Sequence, residues 1–201
     1  MIRAFLFDIG NVLVRFDFAK AIRALAPLCE AVGEAELLRR LQPIQTRYEN
    51  GQMPRREFIA EASASFGYRG TGEQFVSAWQ GIFSRNDSML PLVGHLRKRH
   101  PLFLLSNTND MHVEGLFRDF EIFRHFAGGT YSHAVRASKP HRAIYEIACR
   151  QHGLDPATTF FIDDLAANIA TAREMDFQTH HYHHEGHGEL VAALRAAGVE
   201  L

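Results

Sequence analysis

The chain has 201 residues, enough for one large domain or for a core with a smaller insert. Its 46% apolar and 22% charged residues are ordinary for a globular protein, and a formal net charge of −1 offers no basic field to nucleic acid or to an anionic membrane. No apolar run approaches the roughly 20 residues that cross a bilayer. MIRAFLFDIG has neither the cationic start nor the cleavage site of a signal peptide, so a cytoplasmic location is expected. Cys29 and Cys149 stand far apart in apolar helical stretches, with no CxxC pair, which predicts buried free thiols in a reducing compartment.

The first apolar run, Ile2–Phe7, ends at Asp8. From residue 16 to about 86 the pattern turns helical. Phe18, Ile22, Leu25 and Val32 make one face, and Leu37, Leu41, Ile44 and Tyr48 a second. Phe58, Ile59, Ala62 and Phe66 make a third, and Phe75, Trp79, Ile82 and Phe83 a fourth. Pro27 and Pro43 should break or bend the first two helices. Asn50-Gly51 marks a turn, and Pro54 suits a first helical position. Four amphipathic helices without an intervening strand predict a small bundle inserted after the first strand. Its aromatic residues read as packing before they read as a substrate box.

Beyond the insert, Leu92, Val93 and Leu96 form a helical face ahead of the second run, Leu102–Leu105, which ends at Ser106-Asn107. A strand is expected around His125–Tyr131. Ile144, Ile147 and Ala148 follow Pro140 on a helix that Gly153 should stop. The third run, Phe160–Ile162, ends at Asp163-Asp164; a last strand is expected at Gln178–Tyr182 and a last helix around Leu190, Val191 and Leu194. Apolar runs of this length alternating with helices predict strands buried on both faces of a parallel sheet. The fold class is therefore α/β, a three-layer Rossmann-like core of residues 1–15 and 87–201 with a helical-bundle cap at 16–86. Ligands bind such sheets at the carboxyl ends of the strands, where all three polar clusters fall.

Taken one at a time, these residues have plain readings. Asp8 is a turn residue, Asp163-Asp164 and Ser106-Asn107 are helix caps, and Lys139 is a solvated loop lysine. Asn168 would face its helix or stand behind the ligands of a site. The run His180-His181-Tyr182-His183-His184-Glu185-Gly186-His187 invites a metal reading, but strand alternation sends neighbouring histidines to opposite faces. A polar strand end and loop is the favoured reading there.

Together, FLFDIGNVLV, LLSNTND, SKPHRAIY and FFIDDLAANIATA resemble the four ordered motifs of the haloacid dehalogenase-like hydrolase superfamily. The likeness runs from Phe5 to Asn168 in motifs. The helical insert, with its segment YENGQMPRREF, resembles that superfamily's cap, and FDIGNVLV is most similar to a branch of bacterial sugar-phosphate phosphatases. A more distant likeness is to the phosphatase domain of epoxide hydrolases. The resemblance implies that Asp8 is a nucleophile forming an aspartyl-phosphate, with Mg²⁺ held by Asp8, Asp164 and the backbone carbonyl of Gly10. Asp163 would stand behind the metal or act as an alternate ligand. Lys139 would balance charge on Asp8 and the phosphoryl group, while Ser106 and the N–H of Asn107 bind phosphate oxygens.

The chemistry suits those residue types. A carboxylate attacking a phosphate faces a repulsion of about 4 kcal/mol at roughly 4 Å and an effective dielectric near 20, which a hard, oxygen-liganded cation offsets. The implied partner is a small phosphorylated metabolite, with no nucleic acid and no membrane. One departure from the family pattern matters: the usual second Asp, an acid–base group worth about 10²–10⁴-fold, is Gly10, followed by Asn11. A leaving group of lowered pKa, such as the anomeric hydroxyl of a sugar 1-phosphate, depends less on that acid. Arg136-Ala137-Ser138 also replaces the more usual Gly-x-Arg before Lys139. Two other functions stay open on the sequence alone, a 2-haloacid dehalogenase and a non-catalytic phosphometabolite-binding protein.

Overall fold

The computed structural model describes residues 1–30 and 33–201; Val32, placed above on the first helical face, lies outside them. Five strands build one parallel sheet: β1 (Ala4–Phe7), β4 (Leu102–Ser106), β5 (Gly128–Tyr131), β6 (Thr159–Asp163) and β7 (Gln178–His181), in the order β5-β4-β1-β6-β7. Burial on both faces explains why the three inner strands, β1, β4 and β6, carry unbroken apolar runs. Phe5, Phe7, Leu102, Leu104, Phe160 and Ile162 point into one core layer, while Leu6, Leu105 and Phe161 point into the other. Helices α5 (Met89–Leu96), α6 (Asp110–Asp119) and α10 (His187–Ala196) cover the first face. Helices α8 (Arg142–His152) and α9 (Ala166–Glu174) cover the second. The short helix α7 (Ser132–Val135) follows β5 directly. The three-layer α/β architecture is thus the expected one. Gly153 ends α8 in the left-handed conformation, at φ 64°.

Between β1 and α5, helices α1 (Phe18–Leu25), α2 (Glu34–Glu49), α3 (Arg55–Ser65) and α4 (Gly72–Gln80) enclose their own apolar core. Phe58, Phe75 and Trp79 are fully buried there, and Met111 of α6 joins them. Thr71 starts α4 with a capping box in which Gln74 reciprocates.

The insert departs from its expected layout in several places. Among the described residues no strand intervenes between its helices, but at its ends β2 (Val14–Phe16) pairs antiparallel with β3 (Phe83–Arg85), closing the entry and exit of the insert into a ribbon. Three-residue strands are too short to print a period of two on the sequence. Ile82 and Phe83 consequently leave the fourth helical face, because α4 stops at Gln80 with Gly81 as its cap. Pro27 does end α1, in a short 3₁₀ turn, but α2 runs on through Pro43. The lost hydrogen bond is offset by burial of Leu37, Leu41, Ile44 and Tyr48 along the helix. Pro54 sits one residue before α3, and His125 falls in a 3₁₀ turn ahead of β5. Cys29 and Cys149 are free but only partly buried, and Cys29 follows a turn instead of lying on a helix.

Candidate active site

Since β1 lies between β4 and β6, the carboxyl ends of those strands deliver Asp8, Ser106 and Asp163 side by side. The Asp8 N–H donates to the Ile162 carbonyl at 2.9 Å, so the residue leaves the sheet still tied to the neighbouring strand. The chain then folds tightly, Leu13 N–H donating to Ile9 C=O at 2.9 Å, with Asn11 at φ 54°. The Asn11 amide reaches back to Asp164 Oδ2 at 3.0 Å.

Lys139 joins the two strand-end carboxylates. Its Nζ lies 2.8 Å from Asp8 Oδ1 and 2.6 Å from Asp163 Oδ2, and the lysine is only 5% exposed. The solvated-loop reading therefore does not describe it. Asp163 is wholly buried, and its other oxygen accepts from Leu165 N–H and Asn168 Nδ2, each at 2.8 Å. Its oxygens are thus occupied in holding Lys139 and the turn into α9, whereas Asp164 is partly exposed. Asn107 meets Lys139 through its side chain: Oδ1 accepts the Lys139 N–H at 2.8 Å and Nδ2 donates to the Lys139 C=O at 2.9 Å. The cap of α6 is Asn109, not Ser106 or Asn107.

Asp8, Asp163 and Asp164 place carboxylate oxygens within 4.8 Å of one another, the only such grouping of potential metal ligands among the described residues. With all three ionised, one lysine leaves a local charge of about −2, the setting in which a hard divalent cation binds carboxylates. Burial raises the Asp8 carboxyl to about 7; Lys139 opposes this, and Asp163 and Asp164 add to it. Burial likewise raises Asp164. Lys139 is pushed down by burial, yet the charges of Asp8 and Asp163 hold it above the ordinary lysine value. A cation at the carboxylates would oppose these upward shifts.

Beside this cluster lies a cavity of about 140 Å³ between the strand-end loops and the insert. Gly10, Ser106 and Asn107 line it from the loops; Gln45 and Glu49 of α2 and the ring of Phe16 line it from the insert and its ribbon. Phe18 and Phe83 also reach it, whereas Trp79 is confined to the core of the insert. The histidine run does not converge on three ligand atoms. His181 Nε2 instead contacts the Asp164 carbonyl at 2.9 Å, and the Tyr182 hydroxyl accepts from Asn86 at 3.1 Å.

Sequence reasoning missed the side-chain clasps of Asn11 and Asn107 and passed over Glu49. The latter's one signal was its place in YENGQMPRREF; a glutamate at the end of an amphipathic helix otherwise reads as solvated.

A family model for haloacid dehalogenase-like hydrolases matches residues 2–176. The D-ribitol-5-phosphate phosphatase of Bacteroides thetaiotaomicron is 28% identical over 187 residues, spanning 89% of this chain and 91% of the relative. A HAD family enzyme from Bacteroides thetaiotaomicron, solved in complex with magnesium and inorganic phosphate, aligns with a TM-score of 0.80 at 27% identity over 90% of this chain and 93% of that one. A HAD-like family hydrolase structure from Porphyromonas gingivalis gives a TM-score of 0.82 at 28% identity, covering 100% of both chains.

Proposed function

The chain belongs to the haloacid dehalogenase-like hydrolase family, and we propose that it is a Mg²⁺-dependent phosphatase acting on a small phosphorylated metabolite of the sugar or polyol class. The observation that carries this reading is Lys139 bridging Asp8 and Asp163, with Asp164 in the same carboxylate group. The similarity to a D-ribitol-5-phosphate phosphatase supports the substrate class.

Asp8, Asp164 and the Gly10 carbonyl would hold Mg²⁺, which would offset the repulsion between the phosphate and the carboxylates. Asp8 attacks phosphorus to form an aspartyl-phosphate that water hydrolyses. Lys139 screens the Asp8 charge and meets a phosphoryl oxygen, and Ser106 and the N–H of Asn107 bind the others. Asp163 keeps Lys139 aimed. Residues 16–86 act as a cap over a core of 1–15 and 87–201, so the leaving group is selected in the cavity between them. Among the described residues no helix is long and apolar enough to cross a membrane. A 2-haloacid dehalogenase needs no metal and would leave Asp164 without a task.

Purified protein tested on p-nitrophenyl phosphate and a phosphosugar panel should release phosphate only with Mg²⁺, and Asp8→Asn and Asp164→Ala should both be inactive. Activity without metal, or in Asp8→Asn, would rule the mechanism out. Halide release from a 2-chloroacid would favour the dehalogenase, and tight metal-dependent phosphate binding without turnover a binding protein.

A further inference from the structure

An alkyl phosphate expels a poor leaving group, and the residue that would ordinarily protonate it is missing at position 10. The gap is not open space. A Cβ built on Gly10 would lie 2.9 Å from a ring carbon of Phe16, so the Phe16 ring fills the room where an acid side chain would begin. Lys139 is no substitute, since two carboxylates hold it and its proton.

Among the side chains lining the adjoining cavity, two titrate, Glu49 and His112. His112 is excluded by its contacts. It is 3% exposed, its Nε2 faces the Trp79 carbonyl at 3.2 Å, its Nδ1 faces the Asn109 amide at 3.0 Å, and its ring stacks on Trp79. Both nitrogens are spent, and burial drives its pKa down to about 3.

We propose that Glu49 of α2 is the general acid of the reaction, supplying from the insert the proton that position 10 cannot. The inference rests on the phosphatase reading above. Five observations support it. Glu49 shares one cavity with Gly10, Ser106 and Asn107, the residues that would flank the scissile bond. Its position is fixed on two sides: Gln45 Nε2 donates to its Oε1 at 2.9 Å, and the Ser132 hydroxyl of α7 donates to its backbone carbonyl at 2.6 Å. The following turn is locked to α7 as well, because a Cβ at Gly51 (φ 66°) would strike the His133 carbonyl. As the last residue of α2, Glu49 also sits at the negative end of the helix dipole, which favours its protonated form. Burial independently raises its carboxyl to about 7, against the hydrogen bonds from Gln45 and Asn109, so the acid persists near neutral pH.

An Asp8 oxygen bonds to phosphorus while the phosphorus–oxygen bond to the leaving group breaks. The electron pair stays on the leaving oxygen, which takes the Glu49 proton and departs as an alcohol. Water then attacks the aspartyl-phosphate and gives a proton to the Glu49 carboxylate. The bond between phosphorus and the Asp8 oxygen breaks, releasing inorganic phosphate and restoring both side chains.

The test compares two esters with Mg²⁺ present. p-Nitrophenolate leaves without protonation and D-ribitol does not, and kcat/KM reports the first chemical step. Glu49→Gln should lower kcat/KM for D-ribitol 5-phosphate by about 10²–10⁴-fold and that for p-nitrophenyl phosphate far less, with an unchanged Tm showing that the variant is folded. Glu49→Asp should recover part of the loss. Equal losses on both esters, an effect confined to KM, or no effect on the alkyl ester would overturn the proposal. Wild-type protein that hydrolyses only the phenyl ester would overturn it too, with the phosphatase reading intact. Protein inactive on both esters would bring down that reading and the inference together.

Discussion

Asn107 clasps the peptide of Lys139 from both sides, accepting its N–H at 2.8 Å and donating to its carbonyl at 2.9 Å across 32 residues of sequence. This ties the end of β4 to the loop carrying the lysine. Asn107→Ala should therefore cost about 1–3 kcal/mol in urea unfolding, from two partly buried hydrogen bonds. On the proposed mechanism it should lower kcat more than KM, because a loosened Lys139 would stabilise the transition state less well.

Lys139 holds two buried carboxylates at once, so its removal is costly. Lys139→Met should destabilise the protein by about 3–5 kcal/mol through uncompensated charge. Adding Asp163→Asn should recover part of that loss, since the amide oxygen it introduces can still accept from Leu165 N–H and Asn168. The non-additivity is read from a double-mutant cycle of unfolding free energies.

Metal binding should register as stability. Mg²⁺ at a hundredfold excess over its dissociation constant should stabilise the wild-type protein by about 2.7 kcal/mol, measured as a rise in Tm. Asp164→Ala should abolish the rise. Asn11→Ala should only weaken it, because Asn11 orients Asp164 through one 3.0 Å hydrogen bond.

Gly10 and Phe16 are coupled by their close approach. Gly10→Asp should be destabilising alone and less so with Phe16→Ala, which opens the space that the ring fills. In that double-variant background the new carboxyl should take over leaving-group protonation, so that adding Glu49→Gln no longer slows D-ribitol 5-phosphate hydrolysis. Steady-state rates of the four combinations check this.

The parallel sheet was readable because strands buried on both faces leave uninterrupted apolar runs, and Asp8, Ser106 and Asp163 are the polar residues that stop them. Lys139 was readable only from the order of motifs, since nothing local sets it apart from a surface lysine. The clasp of Asn107 and the tether from Asn11 to Asp164 depend on loops that meet only after the sheet forms, and Asn carries no pattern announcing its partner. The β2–β3 ribbon was too short to show a period. Pro43 misled because its local cost is outweighed by burial on the opposite side of α2. Glu49 stayed hidden because a helical glutamate shows its environment only once the fold closes over it.

In the proposed mechanism Asp8 carries the phosphoryl group. Acid-quenching a reaction with radiolabelled phosphate ester and Mg²⁺, followed by proteolysis, should place the label on the peptide containing Asp8, with none in Asp8→Asn. Turnover without trapped label, or label on another peptide, would contradict it.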